Sequence, residues 1–172
     1  MKTPQPPHNR SSGNHSSSSR ELSNYRPGVG IVLLNQDGHV LIAERLDNPG
    51  AWQMPQGGID EGEEPETAVF REMEEEIGTR NATILGMLAD WICYDFPPAL
   101  GKKLWNGQYT GQRQKWILLR FLGEDSEIKL DTHHEQEFIQ WKWVPLKDLT
   151  KYAVPFKRAV YDKVVSEFSK YV

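Results

Sequence analysis

Between Gly57 and Thr79 the chain reads GGIDEGEEPETAVFREMEEEIGT, and no other stretch constrains its folding so tightly. Pro65 suits the first turn of a helix, where a missing N–H costs nothing, and Gly78 suits the residue just past the end. The spacing therefore predicts a helix starting at Pro65 and stopping before Gly78. At about 100° per residue, Val69, Met73 and Ile77 stack into an apolar stripe with Phe70 at its edge, and a stripe needs a core to dock on. Beside it Glu72, Glu75 and Glu76 share an arc of about 100°, while Glu74 points away. Like charges three and four residues apart destabilise a helix by about a few tenths of a kcal/mol per pair, so the acidic strip calls for a cation. A hard divalent ion with oxygen ligands, Mg²⁺ above all, fits. Gly57-Gly58 lets backbone approach a metal or a phosphate with no Cβ in the way. A solvated acidic helix face is the competing reading of a run such as 72–76, and the fixed positions of Gly57, Glu63, Arg71 and Gly78 around it argue against that.

The 172 residues suit one domain with a sizeable core. With 26% charged residues and a net charge of −4, bulk positive charge is not how this chain would grip nucleic acid. A polyanionic substrate must be met by metal and by local basic residues. Cys93 is the only cysteine, so no internal disulfide can form, and a reducing cytoplasm is the expected location. No apolar run approaches the roughly 18 residues of a membrane span, and the polar N-terminus lacks the apolar stretch of a secretory signal.

Residues 1–24, rich in Pro, Ser, Asn and His, read as a disordered tail in which His8 and His15 are solvated. A folded domain is expected over 25–172. Runs 29–34 and 40–44, joined by Asn35-Gln36-Asp37-Gly38, read as a hairpin, and Trp52 as a core residue. A long strand is expected over 82–91, a break over 94–98, and a surface loop with Lys102, Lys103 and Tyr109 over 100–111. Gln112-Arg113-Gln114-Lys115 opens the next strand, 116–122. Arg113 and Lys115 alternate with Gln and share one face, either as phosphate contacts or as a solvated strand end. An acidic loop with His133, His134, Glu135 and Glu137 precedes a strand over 140–144 that carries Trp141 and Trp143 on one face. Adjacent histidines in such a loop do not define a metal pair. Pro155 opens an amphipathic helix with a stripe of Phe156, Val160, Val164 and Phe168, expected to pack on the sheet opposite the first helix.

Gly57, Glu63, Arg71, Glu72, Met73, Glu75, Glu76 and Gly78 resemble a complete Nudix box, the loop-helix-loop signature of hydrolases that cut a nucleoside diphosphate linked to another group. The one departure is Thr79, a packing position that is usually aliphatic. The resemblance runs on through Tyr25-Arg26-Pro27, the segments 52–58, 94–98 and 111–116, Glu137-Phe138, 141–144 and Pro155-Phe156-Lys157-Arg158. These look like the branch that contains RNA pyrophosphohydrolases and dinucleoside polyphosphate hydrolases. It implies an α/β fold, the Nudix α/β/α sandwich with a mixed β-sheet. It implies that Glu72, Glu75 and Glu76, with the Gly57 carbonyl, hold a divalent cation, Mg²⁺ first, with Mn²⁺ or Zn²⁺ as alternatives. Glu137 is implied as a further ligand or as the base that activates water, and Glu63 with Arg71 as a bidentate brace. Arg26, Arg113, Lys115 and Tyr94 would contact phosphates, and Phe156 would stack a base. Where enteric members carry an arginine on the other side of that base, this chain has Glu44, with Arg45 next to it.

The implied activity is removal of pyrophosphate from 5′-triphosphorylated RNA, promoting transcript decay. The alternative is asymmetric hydrolysis of diadenosine tetraphosphate to ATP and AMP. A non-catalytic nucleotide-binding module would be expected to have lost box acids, and all are present. No membrane or DNA partner is expected.

Overall fold

The computed structural model describes residues 22–133 and 135–172. The tail expected over 1–24 lies, for residues 1–21, outside the described residues, as do His8, His15 and His134. Asn24 is already tied in, its carbonyl accepting the Thr110 N–H at 2.8 Å.

Strands β1 (Tyr25–Leu34) and β2 (His39–Arg45) form the expected hairpin. Asn35 Oδ1 accepts the amides of Asp37 and His39, and Gly38 sits at φ 76°, a conformation glycine takes without steric cost. Strand β3 (Trp52–Gln53) pairs with β2, and β4 (Gln56–Gly58) runs antiparallel to β1. Helix α1 (Pro65–Ile77) starts on its proline and stops where Gly78 turns left-handed at φ 78°. Strands β5 (Ala82–Met87) and β6 (Ile92–Asp95) both pair with β7 (Gly111–Phe121), which lies parallel to β1 from Tyr25↔Gly111 to Leu34↔Arg120. Helix α2 (Pro98–Lys103) lies between β6 and β7. Strand β8 (Phe138–Pro145) pairs with β2, and the chain ends on α3 (Leu149–Tyr152) and α4 (Arg158–Phe168). The central strand order is β3-β2-β1-β7-β5.

Alternation along the two central strands builds the sandwich. Val29, Ile31 and Leu33 of β1, with Ile117 and Leu119 of β7, face Ala68, Val69, Met73 and Ile77 of α1. Val32, Leu34, Trp116 and Leu118 face Val160, Tyr161, Val164 and Phe168 of α4. Both faces are covered, which is why these strands read as unbroken apolar runs.

The structure differs from the sequence reading at four places. The strand expected over 82–91 is two strands: the ladder slips between Ile84 and Gly86, and residues 88–91 leave it before β6 resumes on the same partner. Tyr94 and Asp95 stay in β6, and the break falls at Pro97-Pro98, which have no N–H for a ladder. The loop expected over 100–111 contains α2 and then a turn in which Trp105 and Asn106 take φ 47° and 56°. Finally, 155–157 is a 3₁₀ turn and α4 starts at Arg158, so Phe156 leaves the stripe formed by Val160, Val164 and Phe168. Trp52 is half-buried at the edge of the α4-side core, with Lys142 Nζ 4.3 Å from its ring.

Gly30 faces Trp116 across the β1–β7 register, and a Cβ there would land on that fully buried indole. Overpacking of this kind costs about 1–3 kcal/mol, and each kcal/mol lowers the melting point of a chain this size by about 2–4 °C. Gly30→Ala is therefore expected to lower the thermal midpoint by about 2–12 °C in a circular-dichroism melt. An unchanged midpoint would mean that the sheet centre yields without cost.

Candidate active site

The site begins with three glycines. A Cβ on Gly28 would stand 2.7 Å from the Gly57 carbonyl oxygen of the paired strand. One on Gly57 would fall within the Glu72 side chain, and one on Gly58 would fall on the Arg26 guanidinium. Bare backbone is what lets a carboxylate and a guanidinium reach the same short strand.

Arg71 ties the following loop to α1. Its Nε and Nη2 donate to the two oxygens of Glu63 at 2.9 and 2.7 Å, and Nη2 also donates to the Gly58 carbonyl at 2.9 Å. Its Nη1 donates to Glu72 Oε1 at 2.9 Å and to Glu75 Oε2 at 3.4 Å. Glu63 Oε1 also accepts the Asp60 N–H at 3.1 Å, which closes the turn. The hydrogen bond from Arg71 holds the Glu63 carboxyl below the usual range, and Glu63 in turn raises Arg71. A planar fork of donors is required for this arrangement, and a lysine could not supply it.

Behind the brace the charge is unbalanced. Glu76 is buried, and its Oε2 accepts the Gln56 N–H at 3.2 Å. Burial, and then the charges of Glu72 and Glu137, push its carboxyl well above the ordinary range. Burial also raises Glu72, against Arg71, and raises Glu137, against Arg45. Glu75, on the same strip, is half-exposed. Three raised acids at one place mean negative charge without enough counter-charge. Among the described residues, no three His, Cys, Asp or Glu side chains close into a ready metal cage. That donor set fits a hydrated hard ion, which keeps several waters and takes one or two carboxylates plus substrate phosphates.

These groups line a cleft of about 730 Å³. One wall is aromatic: Tyr94 lies 5.9 Å from Phe156 and 5.9 Å from Phe96, which stacks on Trp105 at 5.7 Å. Burial raises the Tyr94 hydroxyl to about 12, so it stays a proton donor at neutral pH. Cations complete the cleft. Arg26 lies 4.4 Å from the Trp105 ring. Arg45 holds Asp47 through two hydrogen bonds of 2.8 and 2.7 Å and reaches Gln53 at 3.1 Å. Lys157 is 6% exposed, with Nζ 3.4 and 3.3 Å from the Gln53 and Gln56 side-chain oxygens. Burial, and then the charge of Arg45, lower its ammonium to about 8, against Glu76, which raises it.

The structure thus gathers Gly57, Glu72, Glu75, Glu76, Glu137, Arg26, Tyr94 and Phe156 around one cleft. Arg113 and Lys115 do not line it. On β7 it is Gln112 that lines the cleft, and alternation sends its odd-numbered neighbours to the other face of the sheet. Arg113 lies 4.8 Å over the Trp91 ring, while Lys115 Nζ donates to the Ala89 carbonyl and lies 5.2 Å from the same ring. Glu44 is buried and accepts Gln140 Nε2 at 3.2 Å, while Arg45 stands in the cleft. Lys157 was missed by sequence reasoning because it sits among the other cations of the last helix. Its one signal is the preceding Pro155, which sets a turn before the helix proper.

The NUDIX domain model matches residues 24–164. A protein of Rhodospirillum rubrum named RNA pyrophosphohydrolase is 58% identical over 145 residues, covering 84% of this chain and 87% of that protein. One of the same name from Wolbachia pipientis is 45% identical over 152 residues, covering 88% and 94%. Among solved structures, the E. coli dihydroneopterin triphosphate pyrophosphohydrolase aligns with a TM-score of 0.62 at 20% identity, covering 83% of this chain and 98% of that one. That likeness is one of fold.

Lys157 makes a pH-dependent contribution whose sign follows from its lowered value. Below about pH 8 it is charged in both folded and unfolded chains, and burying the charge costs the folded state on the order of 3 kcal/mol. Between about 8 and the ordinary lysine value of 10.5 the folded protein loses the proton first, so this contribution becomes less unfavourable as pH rises. Lys157→Met is expected to be more stable than the parent near pH 7 in urea unfolding, with the gap closing toward pH 10. A gap that stays constant over that range would refute the assignment.

Proposed function

The chain belongs to the NUDIX domain family, and from that membership we propose that it is an RNA pyrophosphohydrolase. In this reading it removes pyrophosphate from the 5′-triphosphate end of RNA and leaves a 5′-monophosphate that opens the transcript to decay. The observation that carries the reading is a single cleft in which an acid cluster short of positive charge faces an aromatic wall, Tyr94 with Phe156, and Arg26. The shared name of relatives at 58% and 45% identity over most of both chains supports RNA as the substrate. The activity is placed in residues 25–172. Among the described residues no helix is long and apolar enough to cross a membrane, and the proposed work is cytoplasmic, where transcripts are.

Hydrolysis adds water across a phosphoanhydride bridge: the water oxygen joins one phosphorus, the bridging oxygen leaves on the other, and a proton must be taken up. Glu72, Glu75, Glu76 and the Gly57 carbonyl would hold the divalent cation, Mg²⁺ first. When bound, the cation supplies neutralisation of phosphate charge and acidification of water. Glu137 would take the proton on a carboxylate oxygen, helped by burial that raises its basicity. Arg26 would bind phosphate oxygens at the glycine strand, and Lys157 would add charge between phosphates and base. Phe156, against Tyr94, would stack a base. The Glu63–Arg71 pair would keep the loop and α1 in register with each other.

Glu76→Gln is expected to lower pyrophosphate release from 5′-triphosphorylated RNA by at least about a hundredfold while leaving the circular-dichroism spectrum unchanged. Turnover at the parent rate would sink the metal assignment. Phe156→Ala is expected to remove about five- to 150-fold of the gain in kcat/KM that a second nucleotide gives over a bare nucleoside triphosphate. Equal kcat/KM on both substrates in the parent protein would refute RNA as the preferred substrate.

A further inference from the structure

A second cavity, of about 470 Å³, opens beside the loop that carries Glu63. It is lined by that loop, Trp91, Tyr109 and Arg113, and it shares Arg26 with the cleft. Nothing in the hydrolysis of a plain 5′-triphosphate uses it.

Its chemistry is that of a nucleoside site. Arg113 lies 4.8 Å over the Trp91 ring and Lys115 Nζ lies 5.2 Å from it, two cations on one indole in a chain of net charge −4. Arg113 Nε is buried and has no hydrogen-bond partner in the protein. Bases stack on indoles and on guanidinium planes alike. The loop side brings Asp60, Glu61 and Glu63, which repel phosphate but can accept hydrogen bonds from the exocyclic amino group of a base. Phosphate is thereby directed to the Arg26 side and a base to the interior.

The cavity is also joined to the cleft. Ring contacts run without a gap from Phe156 through Tyr94, Phe96 and Trp105 to Tyr109, at 5.9, 5.9, 5.7 and 6.2 Å. Trp105, which Arg26 caps at 4.4 Å, is held at φ 47° and is followed by Asn106 at φ 56°. Left-handed backbone at two successive non-glycine residues costs on the order of 1–3 kcal/mol each, and here it fixes the indole at the junction of the two cavities.

We propose that this second cavity binds a nucleoside carried on the far end of the polyphosphate. The substrates of the site would then include molecules with nucleosides at both ends of a phosphate chain, either a free dinucleoside polyphosphate or an RNA whose 5′ polyphosphate ends in a nucleoside. This rests on the catalytic reading above. The reaction remains addition of one water across one phosphoanhydride bridge, and it needs no other reactant.

The test compares kcat/KM of the full chain, with Mg²⁺, on diadenosine tetraphosphate, adenosine 5′-tetraphosphate, a short RNA capped with adenosine through four phosphates, and the same RNA with a plain triphosphate. Trp91→Ala and Tyr109→Ala are expected to lose at least about fivefold on the doubly ended substrates and nothing on the other two, which also reports that the variants fold. Trp91→Phe should restore most of the loss. Loss on the dinucleotide alone assigns the free molecule, loss on capped RNA alone assigns the transcript, and loss on both assigns the shared nucleoside. Equal loss on all four substrates, no loss on either doubly ended one, or loss that grows with the length of triphosphorylated RNA would overturn the proposal. So would a parent protein that cuts neither doubly ended substrate faster than adenosine tetraphosphate. A parent that cuts diadenosine tetraphosphate through Trp91 but leaves triphosphorylated RNA intact would refute the RNA reading and leave this one standing.

Discussion

One guanidinium holds the site in shape. Arg71 reaches from α1 to both oxygens of Glu63, to the Gly58 carbonyl and to the carboxylates of Glu72 and Glu75. The loop, the glycine strand and the acidic strip therefore cannot shift independently. The same contacts satisfy an arginine on the inner face of a helix whose opposite side is buried against the sheet. Because its donors are already committed to Glu63 and Gly58, Arg71 cannot neutralise the acids behind it, and Glu76 is left with a carboxyl far above its usual range. The brace and the unmet charge are two consequences of one arrangement.

That charge imbalance is tolerable because the rest of α1 is anchored by packing. Ala68, Val69, Met73 and Ile77 are fully buried against β1 and β7, and burial of side chains this size contributes about 1.5–3 kcal/mol each for the larger ones. Repulsion among helix carboxylates is smaller per pair. The apolar stripe can thus hold the acids together in the absence of a cation, and the binding energy of an arriving cation need not be consumed in ordering the helix.

How much of this was legible in the sequence depends on the range of the interaction. Pro65, Gly78 and the stripe between them are local signals, and α1 has the expected bounds. The hairpin was legible for the same reason, through Asn35 and Gly38. The split of the strand over 82–91 was not, because it follows from how residues 84–86 slip against β7, a distant partner. Composition alone also could not find Lys157. Its burial depends on Gln53 and Gln56, more than a hundred positions away in the chain.

Arg113 and Lys115 show the limit most sharply. Alternation correctly put them on one face, yet a single strand does not reveal which face its neighbours will turn toward the site. The parallel pairing of β7 with β1 decides it: Gln112 is matched with Arg26 and Arg113 with Pro27, so the glutamine side joins the cleft and the arginine side opens beyond it. Arg26, at the start of its strand, is the one cation that reaches both spaces. A polyphosphate drawn to that guanidinium has the acid cluster on one side and the Trp91–Arg113 stack on the other. One-residue alternation in a single strand therefore turns what reads in sequence as a patch of phosphate contacts into two adjoining spaces, the first suited to cutting the chain and the second to holding what hangs from its far end.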